Sequence, residues 1–179
     1  AFGTYFWNFN GSAHLPDGRP NPLADARVRR ALALMVDKRL IAEEVRGLGE
    51  PVARTLVPPG SIAGYASPEG LPCLSDCEDD EAREALIAQA RGLLAEAGYP
   101  EPTDLPTIEL EFNKDSGHDL VAQSIAKNWQ ETLGLSVRLA QKELTVFRDD
   151  LKEHNFMTAR AGWYGDYPDP LTFLEINRT

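Results

Sequence analysis

The stretch Arg160-Ala161-Gly162-Trp163-Tyr164-Gly165-Asp166-Tyr167-Pro168-Asp169-Pro170 brings together a cation, aromatic rings and two carboxylates. A carboxylate fixed in a water-poor cleft suits a ligand amine, because a charge-assisted hydrogen bond is roughly twice as strong as a neutral one. Trp163 beside it offers an apolar wall and a cation-π surface, and Gly165 lets backbone approach closely. The same residues have a plainer reading: an aspartate before proline commonly bonds its own backbone in a turn. Asp169, between two prolines, reads as a turn or helix-capping residue. Asn113, ahead of Lys114-Asp115-Ser116-Gly117, either bonds ligand backbone or starts a turn.

Cys73 and Cys77 are the only cysteines and flank Leu-Ser-Asp in a Pro-rich, acidic loop. Their spacing permits a local disulfide, and free thiols or a metal site are the alternatives. His14, His118 and His154 show no ligand spacing that would complete a zinc site, so no metal and no cofactor is expected. The sequence contains no G-x-S-x-G, H-E-x-x-H, P-loop or dinucleotide fingerprint, and nothing in it argues for an enzyme.

Positioning these groups requires a sheet and its helices. Tyr5, Trp7 and Phe9 alternate as in a strand over 4–10, and residues 11–22 read as a loop. Asp25 caps a helix over 26–36 whose face is Val28, Ala31, Leu32, Met35 and Val36, and a short helix follows from Lys38 to Gly47. Residues 51–77, with five prolines, are expected to run over the surface. Asp79 or Asp80 then caps a helix that Gly98 closes.

From Thr107 the order is strand (107–113), helix (119–133, stopped by Gly134), strand (135–140), helix (143–153), strand (156–163). That alternation predicts an α/β domain with helices packed on a shared sheet. Trp129 falls on the apolar helix face with Val121 and Ile125 and is assigned to the core. Arg29 and Arg30 fall on a solvated face.

The 179 residues suffice for a single well-buried domain, 1–179. Asp and Glu number 28 against 18 Lys and Arg, a formal charge of -10, which argues against nucleic acid or an anionic membrane surface as partner. No apolar run is long enough to span a bilayer. The chain opens directly on a strand-like segment and stops at Asn177-Arg178-Thr179 without a closing element, so it is expected to be a fragment of a longer protein.

Five phrases in order carry a family resemblance: Asp25-Ala26-Arg27-Val28-Arg29-Arg30-Ala31-Leu32-Ala33-Leu34-Met35-Val36-Asp37-Lys38, Val57-Pro58-Pro59-Gly60, Leu93 to Pro100, Trp129 to Gly134, and Gly162 to Pro170. Together they resemble the peptide- and nickel-binding cluster of extracytoplasmic solute-binding proteins. The resemblance implies one lobe of a type II periplasmic-binding-protein-like fold, a mixed sheet flanked by helices, with the second lobe of the same chain missing. It implies a peptide ligand, an ABC transporter permease as membrane partner, and a periplasmic or otherwise extracytoplasmic place, with a lipid anchor through the missing N-terminus as one form.

By the same resemblance Asp166 matches the aspartate that anchors the peptide α-amino group, and Trp163, Tyr164 and Gly165 lie in the same phrase. Arg160 matches a cation for the ligand carboxylate, although a surface salt bridge is an equal reading. Leu144 and Leu151 stand where some relatives place a tryptophan and a second arginine, which leaves ligand length open. Rival readings are another solute on the same fold, such as a nickel chelate or an oligosaccharide, and the ligand-sensing lobe of a transcriptional regulator.

Overall fold

The computed structural model describes residues 2–115 and 117–177; Ser116 of the expected turn and the terminal Arg178-Thr179 lie outside the described residues. The alternating segments form strands β1 (Gly3–Phe9), β2 (Ile108–Asn113), β3 (Val137–Lys142) and β4 (Thr158–Tyr164), in one sheet of order β1-β4-β2-β3. β1 pairs antiparallel with β4, and β2 is parallel to both β3 and β4. The expected α/β mixed sheet is therefore present.

The helices are α1 (Ala26–Leu34), α2 (Lys38–Leu40), α3 (Asp80–Glu96), α4 (His118–Leu133), α5 (Leu144–Lys152) and α6 (Leu171–Leu174). The chain steps from β2 outward to β3 through α4, then returns across β2 to β4 through α5. Because parallel crossovers are right-handed, reversing direction puts the two connecting helices on opposite faces of the sheet. The packing agrees. One apolar cluster joins Ile108, Leu110 and Phe112 to α1, α3 and α4, whereas a second holds Phe147 of α5 with Phe156 and Ala159.

The main core forms where the periodicities point. Ile108 and Leu110 are fully buried, each such side chain being worth about 1.5–3 kcal/mol. Trp129 belongs to this core as expected: it is buried, its indole N–H donates to Leu32 O at 2.9 Å, and its ring stacks 6.5 Å from Phe9. Asp25 and Asp79 cap α1 and α3, accepting from the backbone N–H of Arg27 and Ala82. Gly134, at φ 70°, ends α4.

The differences from expectation are local. α1 stops at Leu34, and the short second helix widens after Leu40 into a π turn over Ile41–Arg46 closed by Gly47. β3 begins two residues late, because Leu135 is still engaged with the end of α4 through its N–H to Trp129 O. β4 likewise begins at Thr158, since Phe156 turns into the cluster under α5. The 51–77 segment runs without strand or α-helix as expected, except for a 3₁₀ turn at Leu74–Asp76.

That turn carries the cysteines, and the disulfide expected as one reading is not formed: both are free thiols. Cys73 is buried, its Sγ lying 3.2 Å from Ser75 Oγ and 3.3 Å from Asp76 Oδ2.

Candidate ligand-binding site

In open parallel sheets, ligands gather beyond the carboxyl ends of the strands where the strand order reverses. Here that point lies between β2 and β4. Their pairing runs only through Leu110↔Thr158 and Glu111↔Ala159, so beyond it the strands are no longer bonded to each other. Arg160 follows directly, and its guanidinium donates to Asn113 Oδ1 at the end of β2. Asn113 is itself buried, and its carboxamide oxygen is the acceptor that orients Arg160. Arg160 also lies 5.6 Å from the centre of the Phe147 ring.

The antiparallel register extends the group to β1. Gly162 opposes Tyr5, and directly opposed residues share a face of the sheet. Around Tyr5 stand two further basic side chains. Arg46, on the π turn, lies 4.5 Å over the Tyr5 ring and pairs with Glu50 at 2.5 Å. His118, at the start of α4, has Nδ1 3.3 Å from the Tyr5 hydroxyl and stacks on its ring at 5.7 Å. Burial pushes the Tyr5 phenol up to about 12, against the opposing pull of Arg160 and Arg46. Burial, followed by the Arg160 cation, holds the His118 imidazole below its ordinary value. Arg46 is already paired with Glu50, which leaves Arg160, held by the neutral Asn113 carboxamide, as the cation that favours an anionic group.

Asp166 stands beyond the carboxyl end of β4. Its backbone N–H donates to Thr172 Oγ1 at 2.9 Å, which ties the turn to α6. Its side chain is exposed, and among the described residues the carboxylate takes part in no hydrogen bond or ion pair. The turn reading fits the neighbour instead: Asp169 Oδ1 accepts from Leu171 N–H at 2.9 Å, capping α6.

Trp163 opposes Thr4 and packs against Val57, Ile62 and Phe173, so one side of the indole is backed by loop 54–65 and by α6. Tyr164 is 81% exposed. At Gly165 a Cβ would stand 2.2 Å from the Phe2 ring, so a larger residue would have to displace that ring. Leu144 is exposed and Leu151 half-buried on α5.

The structure therefore joins Arg160 with Asn113 and sets Trp163, Tyr164, Gly165 and Asp166 together at the end of β4. Sequence reasoning missed Arg46, His118 and Tyr5. His118 was weighed only as a metal ligand, and its position five residues after the end of β2, opening α4, is the signal that would have found it. Among the described residues no cluster of three or more metal-ligating side chains occurs, and no helix is long and apolar enough to cross a membrane.

Comparison with known proteins gives a consistent picture. The sequence model described as bacterial extracellular solute-binding proteins, family 5 Middle, matches residues 1–179. The chain is 36% identical to the periplasmic murein peptide-binding protein MppA of Escherichia coli, over 97% of this chain and 30% of MppA. It is 31% identical to the oligopeptide-binding protein OppA of Bacillus subtilis, over 98% of this chain and 30% of that protein. A periplasmic oligopeptide-binding protein of Borrelia burgdorferi superposes with a TM-score of 0.80 at 27% identity, covering 99% of this chain and 31% of its own. The chain thus spans under a third of the length of these relatives.

Proposed function

Because the chain belongs to the family 5 bacterial extracellular solute-binding proteins, we propose that it is one lobe of a two-lobed extracytoplasmic protein that captures peptides for an ABC importer. The observation that carries the ligand class is the separation of charge across the site. At one end is the exposed carboxylate of Asp166, without a partner among the described residues and suited to an ammonium group. Further back along β4 is Arg160, whose guanidinium is suited to a carboxylate.

In this reading the protein binds and does not catalyse. Asp166 holds the peptide amine, Trp163 and Tyr164 wall the first residues, and Arg160, oriented by Asn113, holds the carboxyl end. Binding draws the second lobe over the ligand, because a peptide touches both lobes only when they meet. The closed form then presents a surface to the membrane permease, from the periplasm or from a lipid-anchored position.

Calorimetric titration of the full-length protein with short peptides, free and N-acetylated, tests this. Acetylation and Asp166→Asn should each weaken binding at least tenfold. Equal affinity for free and acetylated peptides would remove Asp166 as the amine anchor.

A further inference from the structure

Apart from the ligand site, the chain carries a pair of free cysteines close together in sequence. Cys73 and Cys77 sit at the two ends of the 3₁₀ turn Leu74–Asp76 and line the same shallow concavity against Ala82, Ala85 and Leu86 of α3. The turn draws them together through Asp76 N–H to Cys73 O at 2.9 Å and Cys77 N–H to Leu74 O at 3.3 Å. Cys73 is buried and Cys77 is partly exposed, so one thiol is open to a reagent and the other is shielded from it.

The turn is also an anchor. Asp76 forms an ion pair with Arg54, and Arg54 lies at the base of a loop that closes on itself: a Cβ on Gly70 would stand 2.0 Å from Arg54 O. That loop contributes Val57 and Ile62 to the packing behind Trp163.

We propose that Cys73 and Cys77 form a reversible disulfide staple that locks this turn, and through Asp76 and Arg54 the base of the loop supporting Trp163. The oxidant is a small-molecule or protein disulfide. The Cys77 thiolate attacks one sulfur of that disulfide, a mixed disulfide forms, and the first thiol leaves. The Cys73 thiolate then attacks Cys77 Sγ and expels the second thiol. Two cysteine thiols become one disulfide while the oxidant becomes two thiols, the protons lost by the cysteines passing to the leaving thiolates. The free thiols of the structure are the reduced form. This inference does not depend on which ligand the site takes.

The test uses the full-length protein equilibrated in oxidised and reduced glutathione, alkylated, digested with trypsin and weighed. No lysine or arginine lies between Arg54 and Arg83, so both cysteines fall in one tryptic peptide, 55–83. In the oxidising buffer this peptide should be unalkylated and lighter by two hydrogens, and reductant should restore two alkylation sites. The melting temperature should rise on oxidation in the wild type and stay unchanged in Cys77→Ser. Alkylation of both cysteines after oxidising incubation, or a glutathione adduct persisting on Cys77, would overturn the proposal.

Discussion

Lys142→Met should be among the most damaging substitutions outside the core, for a reason that lies in Glu111. Glu111 points from β2 with no solvent exposure, and its carboxylate has Lys142 Nζ at 2.9 Å. Lys142 also reaches Asp150 of α5 at 2.5 Å. The Glu111 contact is an ion pair by distance only, since neither carboxylate oxygen has a well-directed hydrogen bond among the described residues. Burial raises the Glu111 pKa, with Lys142 opposing it.

Removing one partner of a buried pair costs about 3–5 kcal/mol. Neutralising the stranded carboxylate bounds the loss: protonating at pH 7 a glutamate that ionises near 4.3 in water costs about 3.7 kcal/mol. The sign with pH follows from the same route. Without Lys142 the folded-state pKa of Glu111 rises further above its already raised wild-type value, so the deficit is smallest where Glu111 is protonated in both proteins and grows as pH increases through the wild-type folded pKa. Urea denaturation should therefore find Lys142→Met about 3 kcal/mol less stable at pH 7, with a smaller deficit at pH 5. Adding Glu111→Gln should restore most of the loss. A deficit below about 1 kcal/mol, or one independent of pH, would refute the view that Glu111 is a charged group held by Lys142.

Two further outcomes follow. Gly165→Ala should displace the Phe2 ring and lower stability by about 1–3 kcal/mol as an overpacked substitution, read by urea denaturation with Trp163 fluorescence reporting the local shift. His118, depressed by burial and Arg160, should titrate by NMR below the usual 6.5. Its contribution to stability is present above that unfolded value and is lost as pH falls through the folded pKa, so His118→Gln should flatten the acid limb between pH 7 and 5.

What the sequence made legible was periodic. The alternation of Ile108, Leu110 and Phe112, the helical spacing through Trp129, and the Asp25 and Asp79 caps all have a local physical cause, and each is where it was expected. Strand order was not legible, because β4 adds beside β2 rather than β3, and right-handedness fixes only the face that α5 covers once that order is set. The basic cluster was hidden for a similar reason. Tyr5, Arg46 and His118 sit on three elements far apart in sequence, and only the antiparallel docking of β1 on β4 and the wide turn after Leu40 bring them together. Asp166 was legible as a motif, but its freedom from turn bonding was not, since Asp169 could have left that role to it.

The uneven covering of the two faces of the sheet has a dynamic consequence. The face carrying α1, α3 and α4 is one continuous apolar block, whereas the other is covered by two small separate clusters, under α5 and under loop 54–65 with α6. Cooperative opening follows buried apolar contact, so the thinly covered face should breathe while the block stays closed. Arg160, against Phe147, and Trp163, against Phe173, both rest on that softer layer. Occupancy of the site would thus be felt as slowed local opening of α5 and loop 54–65, the layer that moves, against a block that holds Tyr5 and the His118 end of α4 in place.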